Sequence, residues 1–314
     1  MGRGGRPGRG PARLNFLEGS KPRGQVPMDI IDIQVHVFLT LGVEETLAAM
    51  DALGIQGVVI DEFWSFNEKG QVEPCIALPN GSLRPISPLA QAASLKFPER
   101  FSYLQRLERT DPDLAEVFAM LGSSPGCRSI RLEIRPPAET QAFIDGGYNE
   151  LLKLAQRYDL PVSVLGRDTA VTIRKTVARF PDVKFVVDHC GWVESAQEWD
   201  GVLSLASFKN VWLKWSHAHR AFGVEKYPYP NIRLQLARAV EAFGVQRLMW
   251  ASDFTHNRTD NNWGDLLYYV RDWPGLADAD KEWLLARTAR DLFRWAPPAK
   301  LAAAARGPIF QKMF

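Results

Sequence analysis

The sequence predicts a single-domain (β/α)8 barrel, an α/β fold of the TIM type, over residues 28–296. Three observations predict it. Eight short aliphatic runs punctuate the chain, most followed by a stretch with helical apolar spacing, and that alternation builds a parallel sheet with covering helices. Eight such units in about 270 residues match a closed barrel better than an open doubly wound sheet. No GxGxxG follows any run, so a dinucleotide-binding sheet lacks its fingerprint.

The first run, IIDIQVHVF over 30–38, alternates, with Asp32, Gln34 and His36 on one face and Ile31, Ile33 and Val35 on the other. Polar groups backed by aliphatics suit a barrel strand whose inner face ends in a site; a solvated edge strand is the other reading of this stretch alone. VEETLAAMDAL (43–53) has helical spacing, with Glu44 and Glu45 in the first turn where they complement the helix dipole. GVVIDE (57–62) is a buried run of the parallel-strand type. Residues 63–85, broken by Gly70, Pro74, Pro79, Gly81 and Pro85, form a long connection, either a lid over a site or a surface excursion.

The rest follows the same rhythm. A helix is expected over 88–97, a strand over 100–107 and a helix over 111–121. CRSIRLEIR (127–135) is a strand with Arg131, Glu133 and Arg135 on one face. A helix over 148–158 leads to LPVSVL (160–165), and one over 170–180 to VKFVVDH (183–189). VWLKWSH (211–217) is the seventh strand. A helix over 232–243 precedes the last, RLMWASD (247–253), and helices over 265–272 and 280–293 close the domain.

Composition narrows the class. A hydrophobic content of 46% with 24% charged residues is that of a soluble globular domain, and no 18-residue apolar run suggests a membrane span. Cys75, Cys127 and Cys190 have no CxxC spacing, which suits a reducing cytoplasm rather than a disulfide framework. The net charge of +2 is uneven: residues 1–27 hold six cations against Glu18, so the remainder sums to −3 and has no basic surplus for nucleic acid. That Gly-, Pro- and Arg-rich arm has too little apolar surface to offset its ordering entropy and is expected to be disordered. It has no apolar signal region, and no aromatic residue lies between Arg3 and Arg13 as a nucleic-acid tail of the RGG kind would favour. Met28 is a candidate native start, and residues 297–314 read as a C-terminal extension.

All five histidines fall at or just past strand ends: His36 after the first strand, His189 after the sixth, His217 and His219 after the seventh and His256 after the eighth. Glu62 and Asp253 end strands too. In a barrel those ends form one mouth, where catalytic groups gather. Imidazoles beside carboxylates there suit a metal site or acid–base catalysis near neutral pH.

At these residues the chain resembles the amidohydrolase superfamily, in its amidohydrolase-related (amidohydrolase 2) branch, which includes metal-dependent decarboxylases and hydrolases of sugar and pyrone lactones. The family's Asp-x-His-x-His on strand 1 is matched by Asp32, Gln34 and His36. FPDVKFVVDHCG (180–191) resembles the family's strand 6, with His189 as its functional histidine. NVWLKWS (210–216) resembles strand 7. FGVQRLMWASDF (243–254) resembles strand 8, with Asp253 as the active-site aspartate, and WLLARTARDLFRW (283–295) resembles the closing helix. Two departures stand out. Gln34, a neutral amide and poor transition-metal ligand, replaces the first histidine of the pair. Leu165-Gly166 stands where the zinc decarboxylases have a strand 5 histidine, a feature that lactonase members also tend to lack.

The resemblance implies hydrolysis of a small carbonyl substrate, a lactone or related cyclic ester. Asp253 would be the general base, its pKa raised by enclosure. His36 and His189 would polarise the carbonyl, directly or through one divalent zinc or manganese held by His36, His189 and Asp253, with His217 able to join. Replacement of a usual ligand by Gln34 leaves metal-independent chemistry open. Arg131, Lys214 and Arg135 are candidates to hold a substrate carboxylate, or else form interior salt bridges with Glu133 or Asp32. Gln34 would bond the substrate or His36; His217 joins it as a substrate-binding candidate, and Trp192, with Trp64 and Trp215, would line an apolar pocket or serve as packing. The rivals are metal-dependent decarboxylation of an aromatic acid and a metal-less, non-catalytic binder. A small-molecule substrate, no nucleic-acid or membrane partner, and a homodimer by symmetry base rates complete the expectation.

Overall fold

A computed structural model describes residues 28–37, 41–68, 72–223, 226–255 and 261–299. The arm over 1–27, most of the C-terminal extension, Phe38, Gly70 and His256 lie outside these residues. Among the described residues no helix is long and apolar enough to cross a membrane.

Eight parallel strands follow one another in chain order around a nearly closed barrel: β1 (Ile31–Val35), β2 (Gly57–Asp61), β3 (Phe101–Arg106), β4 (Cys127–Glu133), β5 (Val162–Leu165), β6 (Phe185–Val187), β7 (Val211–Trp215) and β8 (Leu248–Trp250). Helices α1 (Val43–Leu53), α2 (Pro88–Lys96), α3 (Leu114–Ser123), α4 (Pro137–Asp145), α5 (Asn149–Arg157), α6 (Thr169–Arg179), α7 (Ala196–Ser204), α8 (Ala218–Phe222) and α9 (Pro230–Phe243) cover the outside. Helix α10 (Trp263–Arg271) follows β8. A final helical run, α11 (Asp278–Glu282) through Trp283–Arg287 into α12 (Thr288–Phe293), packs on β8 and β1.

Three of these helices carry weak sequence signals. Helix α4 opens on Pro136-Pro137, and proline is well placed at the first helical position. Helix α7 contains Gly201 but is started by a side-chain cap: Ser195 Oγ accepts from the Glu198 N–H at 3.2 Å, and Glu198 Oε2 reaches back to accept from the N–H of Glu194, just before the cap, at 3.0 Å. Helix α8 is five residues long, too short for a periodicity to show. The connection over 63–85 contains two small antiparallel ribbons, Ser65–Phe66 with Val72–Glu73 and Cys75–Ala77 with Leu83–Pro85.

Alternation sorts the strand residues into two layers. Val58, Ile60, Ile130, Leu132, Val162, Val164, Phe185 and Val187 face the helices in the larger core. Val59, Leu104, Val186 and Met249 face inward, where Phe293 and Trp295 of the closing segment join them. Trp295 packs so closely on β2 that a Cβ at Gly57 would stand 2.7 Å from its ring, so only glycine fits there.

The first strand departs from strict alternation. Ile31 and Ile33 belong to the inner cluster while Val35 belongs to the outer one, and the β1–β2 register shifts between Asp32 and Val35. This bulge turns Gln34 and His36 into the mouth but separates Asp32 from them. Asp32 instead staples the seam between first and last strands. Its carboxylate accepts from the Ser252 N–H (3.0 Å), the Ser252 hydroxyl, the Gln34 N–H (3.1 Å) and Trp263 Nε1 (2.8 Å). Beside it, the Asp253 N–H donates to the Gln34 carbonyl at 3.1 Å.

Burial pushes the Asp32 carboxyl up to about 6 in spite of these hydrogen bonds. A folded-state pKa above the unfolded one favours the native state below pH 4 and loses that advantage as pH rises through 6. Urea unfolding is therefore expected to show the wild type losing about 2 kcal/mol between pH 4.5 and 7.5 relative to Asp32→Asn, which cannot ionise. Equal pH dependences in the two proteins would contradict this.

Candidate active site

At the C-terminal end of the barrel, polar residues follow closely on the ladders of β1, β6, β7 and β8. His189, His217 and Asp253 all adopt left-handed φ angles, of 48°, 52° and 48°. Non-glycine residues occupy this region at a cost of about 1–3 kcal/mol each, and such strain clusters at functional sites. The turn after β6 is the tightest, with Cys190, Gly191 and Trp192 also left-handed; a Cβ on Gly191 would meet Val202 at 2.4 Å. These turns bring His189, His217 and Asp253 together at the barrel mouth.

Asp253 has both carboxylate oxygens against imidazoles. Oδ1 is 3.0 Å from His36 Nε2, and Oδ2 is 2.6 Å from His217 Nε2 and 3.7 Å from His189 Nε2. The expectation of a raised Asp253 pKa is overturned. Burial pushes it up, but His36 and His217 outweigh burial and hold the carboxyl well below its ordinary range. His36 answers in the opposite sense: burial pulls it down, and the Asp253 and Asp61 carboxylates raise it overall. Its Nδ1 donates to the Asp61 carbonyl at 2.8 Å while Nε2 faces the carboxylate. Both ring nitrogens thus meet acceptors, the arrangement of an imidazolium.

His189 is the reverse case. Arg131 Nη2 lies 2.8 Å from its Nε2, and a guanidinium can only donate, so Nε2 is an acceptor. Its proton therefore sits on Nδ1, which donates to Ser216 Oγ at 2.8 Å. Burial, then the neighbouring His217, push its pKa well below the ordinary value. The ring is neutral and has no N–H left for a carbonyl, which removes the direct polarising role expected of it.

Beneath these imidazoles lies a layer of buried charge. Arg131, 3% exposed, donates Nε to Asp188 Oδ2 at 2.7 Å and Nη1 to Asp61 Oδ2. Lys214, 1% exposed, donates to Gln34 Oε1 and pairs with Asp188 Oδ1, both at 2.5 Å. Arg106 forks onto Asp61 at 2.8 and 2.7 Å, and Gln34 Nε2 reaches Asp61 at 3.3 Å. Burial would raise Asp61 and Asp188, yet Arg106 with Arg131 and Lys214 with Arg131 hold them below the ordinary carboxylate range. Arg131 and Lys214 are thus interior ion-pair residues, but their partners are Asp61 and Asp188 rather than Glu133 or Asp32. Arg135 pairs with Glu133, Nε at 2.7 Å. Gln34 bonds Lys214 and Asp61 rather than His36.

Above this layer a cavity of about 280 Å3 opens, and Gln34, His36, Arg106, His189, His217 and Asp253 lie on its wall together with Arg131 and Arg135, two of the expected carboxylate holders; Lys214 does not reach it. Trp192 closes one side at 5.4 Å from the His217 ring, with the Arg220 guanidinium 3.9 Å over its own ring. Phe63 and Phe66 close the other, so the 63–85 excursion walls the mouth. Trp64 and Trp215 stay outside it. Trp64 bonds Glu62, whose other oxygen accepts from the Ala90 N–H in the first turn of α2. Trp215 donates to the Tyr269 hydroxyl and stacks on Phe222 behind the sheet. His219 is buried beside His217.

Sequence reasoning missed Asp61, Arg106, Asp188 and Ser216. The signal was there in part: Asp61 is two residues on from Val59, Arg106 from Leu104 and Asp188 from Val186, so period-two counting puts all three on the inner face. Which cation each carboxylate would meet is a matter of strands far apart in the chain.

His189, His217 and Asp253 each offer a ligand atom, all within 4.8 Å of one another, a group that could hold a metal. His217 takes the place expected for His36, which engages the other carboxylate oxygen. Two imidazoles and a carboxylate are the donor set of a three-ligand catalytic zinc, so the residue types fit a divalent ion.

The sequence profile of the family described as Amidohydrolase matches residues 92–295. A search of curated proteins finds no match. Among solved structures, the chain is similar to an amidohydrolase from Burkholderia multivorans with bound HEPES, at 18% identity and a TM-score of 0.68, over 85% of this chain and 100% of the other. It is similar to a provisionally assigned 2-pyrone-4,6-dicarboxylic acid hydrolase from Pseudomonas putida, at 21% identity and a TM-score of 0.67, covering 85% and 98%. It is also similar to a dihydroxybenzoic acid decarboxylase from Polaromonas with bound manganese and an inhibitor, at 13% identity and a TM-score of 0.59, covering 85% and 97%. At such identities the structural likeness speaks for the fold.

Proposed function

The chain belongs to the amidohydrolase family, and from that premise we propose that it hydrolyses a small lactone or related cyclic ester, with Asp253 as the base that activates water. The observation that carries this reading is the Asp253 carboxylate set between His36 at 3.0 Å and His217 at 2.6 Å on the wall of a small cavity. A hydrolysis needs a proton acceptor for water and a proton donor for the leaving oxygen, and this arrangement holds both within one hydrogen-bonded unit.

In this reading Asp253 takes a proton from water as the water oxygen bonds to the carbonyl carbon. The ring C–O bond breaks, and the departing oxygen takes a proton from the His36 imidazolium. The proton on Asp253 then crosses to His36 and restores the pair. Because Asp253 is held far below the usual carboxylate range, its catalytic value lies in position and permanent charge more than in basicity. A divalent ion, when bound by His189, His217 and Asp253, would supply Lewis-acid polarisation of the carbonyl.

The test is a metal assay by elemental mass spectrometry before and after incubation with zinc or manganese, followed by substrate screens. Turnover of a lactone such as dihydrocoumarin, abolished in Asp253→Asn, is the expected result. Carbon dioxide release from a dihydroxybenzoate by the metal-loaded protein, with no lactone turnover, would overturn it in favour of decarboxylation. Ligand binding without turnover of either class would leave a binder.

A further inference from the structure

We propose that Arg131 controls whether the barrel mouth binds a divalent metal, by occupying the one lone pair with which His189 could ligate it. The inference concerns metal binding and rests on the donor set described above, not on the substrate.

The two ring nitrogens of His189 are both committed. Nδ1 gives its proton to Ser216 Oγ at 2.8 Å, and the Nε2 lone pair accepts from Arg131 Nη2 at 2.8 Å. A metal would need that same Nε2 lone pair, because it is the His189 atom turned toward Asp253 and His217, and a lone pair serves one partner at a time.

Arg131 does not give the position up easily. Its guanidinium is pinned at three corners, by Asp188 at Nε, Asp61 at Nη1 and His189 at Nη2. Rotation toward the cavity would leave two carboxylates that are at most 1% exposed without their shared cation. The charge of the layer points the same way. Arg106, Arg131 and Lys214 already face Asp61 and Asp188 from several sides, so an added dication would meet a site that is cationic beneath its imidazoles.

Lysine separates the two functions of Arg131. An ammonium on a similar stem keeps a positive charge between Asp61 and Asp188, but one nitrogen cannot span those two carboxylates and His189 together. Arg131→Lys therefore frees His189 Nε2 at constant charge. Any gain in metal affinity then reports the lone pair and not a change in net electrostatics.

The experiment is isothermal titration of chelator-treated wild type and Arg131→Lys with zinc chloride, alongside the visible absorption of cobalt(II) as a coordination readout. Zinc is expected to bind Arg131→Lys about 10- to 100-fold more tightly than wild type, the size of effect usual for groups that contact a metal ligand, and cobalt to show tetrahedral bands in the variant at concentrations that leave wild type without them. Equal affinities, or one zinc equivalent in wild type that survives dialysis against a chelator, would overturn the proposal. Should Arg131→Lys fail to fold, nitrogen-15 NMR of the wild-type histidines decides: the proposal requires the His189 Nε2 resonance to stay at its hydrogen-bonded position at zinc concentrations that saturate an ordinary two-histidine site, and a shift there would overturn it. Neither readout requires turnover, so a failed lactone assay would leave this result standing.

Discussion

Asp253→Asn is expected to lower kcat by about a thousandfold, with the thermal midpoint shifted only modestly. General acid–base groups contribute about 10²–10⁴ in rate, and Asp253 would serve as base while also fixing the rings that deliver the proton. Asparagine preserves the shape and the backbone N–H to Gln34 that closes the barrel seam. It cannot take a proton from water, and its amide presents an NH2 to one of two imidazole nitrogens that now find an acceptor, at 3.0 or 2.6 Å. Circular dichroism with steady-state kinetics on a lactone checks both halves. A variant with near wild-type kcat would remove Asp253 from the base role, and His36 would then be the next residue to examine as proton acceptor.

The largest expected effect on stability is at Arg131. Arg131→Met keeps much of the stem volume but strips the shared cation from Asp61 and Asp188, each at most 1% exposed. Arg106 still covers Asp61 and Lys214 still covers Asp188. The third corner, His189 Nε2, is left with a bare lone pair facing the methionine. Removing one partner of a buried ionic network costs about 3–5 kcal/mol, chiefly because the survivors stay buried with less compensation. Chemical denaturation is expected to show a loss in that range. A loss below about 1 kcal/mol would mean that water or rearrangement readily replaces the guanidinium, and that the network is weaker than its geometry implies. This expected loss is why lysine, which retains the charge, is the informative replacement for the metal titration.

Much of the fold was legible in the sequence because barrel strands and helices write their periods locally. Helix α1 falls on the expected residues, and each of the eight strands lies within its expected run. Strands β1, β6, β7 and β8 are shorter at their C-terminal ends because His36, His189, His217 and Asp253 leave the ladder to make the mouth, three of them through left-handed turns. No local pattern announces such turns at a non-glycine residue. The bulge in β1 is hidden for the same reason: IIDIQVHVF reads as a clean alternation, and only pairing with β2 reveals the slip that sends Asp32 to the seam and Gln34 and His36 to the site.

Residue type and strand-end position were enough to bring His36, His189, His217 and Asp253 into one annulus, since every strand end of a parallel barrel opens on the same face. They could not say which groups neutralise one another there. Asp253 was expected to be raised by burial and is lowered instead, because two imidazoles stand within hydrogen-bonding reach. Arg131 and Lys214 read either as substrate holders or as interior salt-bridge residues of Glu133 or Asp32; they form interior pairs, but with Asp61 and Asp188, which lie 70 and 26 residues away in the chain. Local periodicity decides where a side chain points; protonation, tautomer and charge pairing depend on distances of 2.5 to 4 Å between residues from different strands, and only the closed barrel sets those.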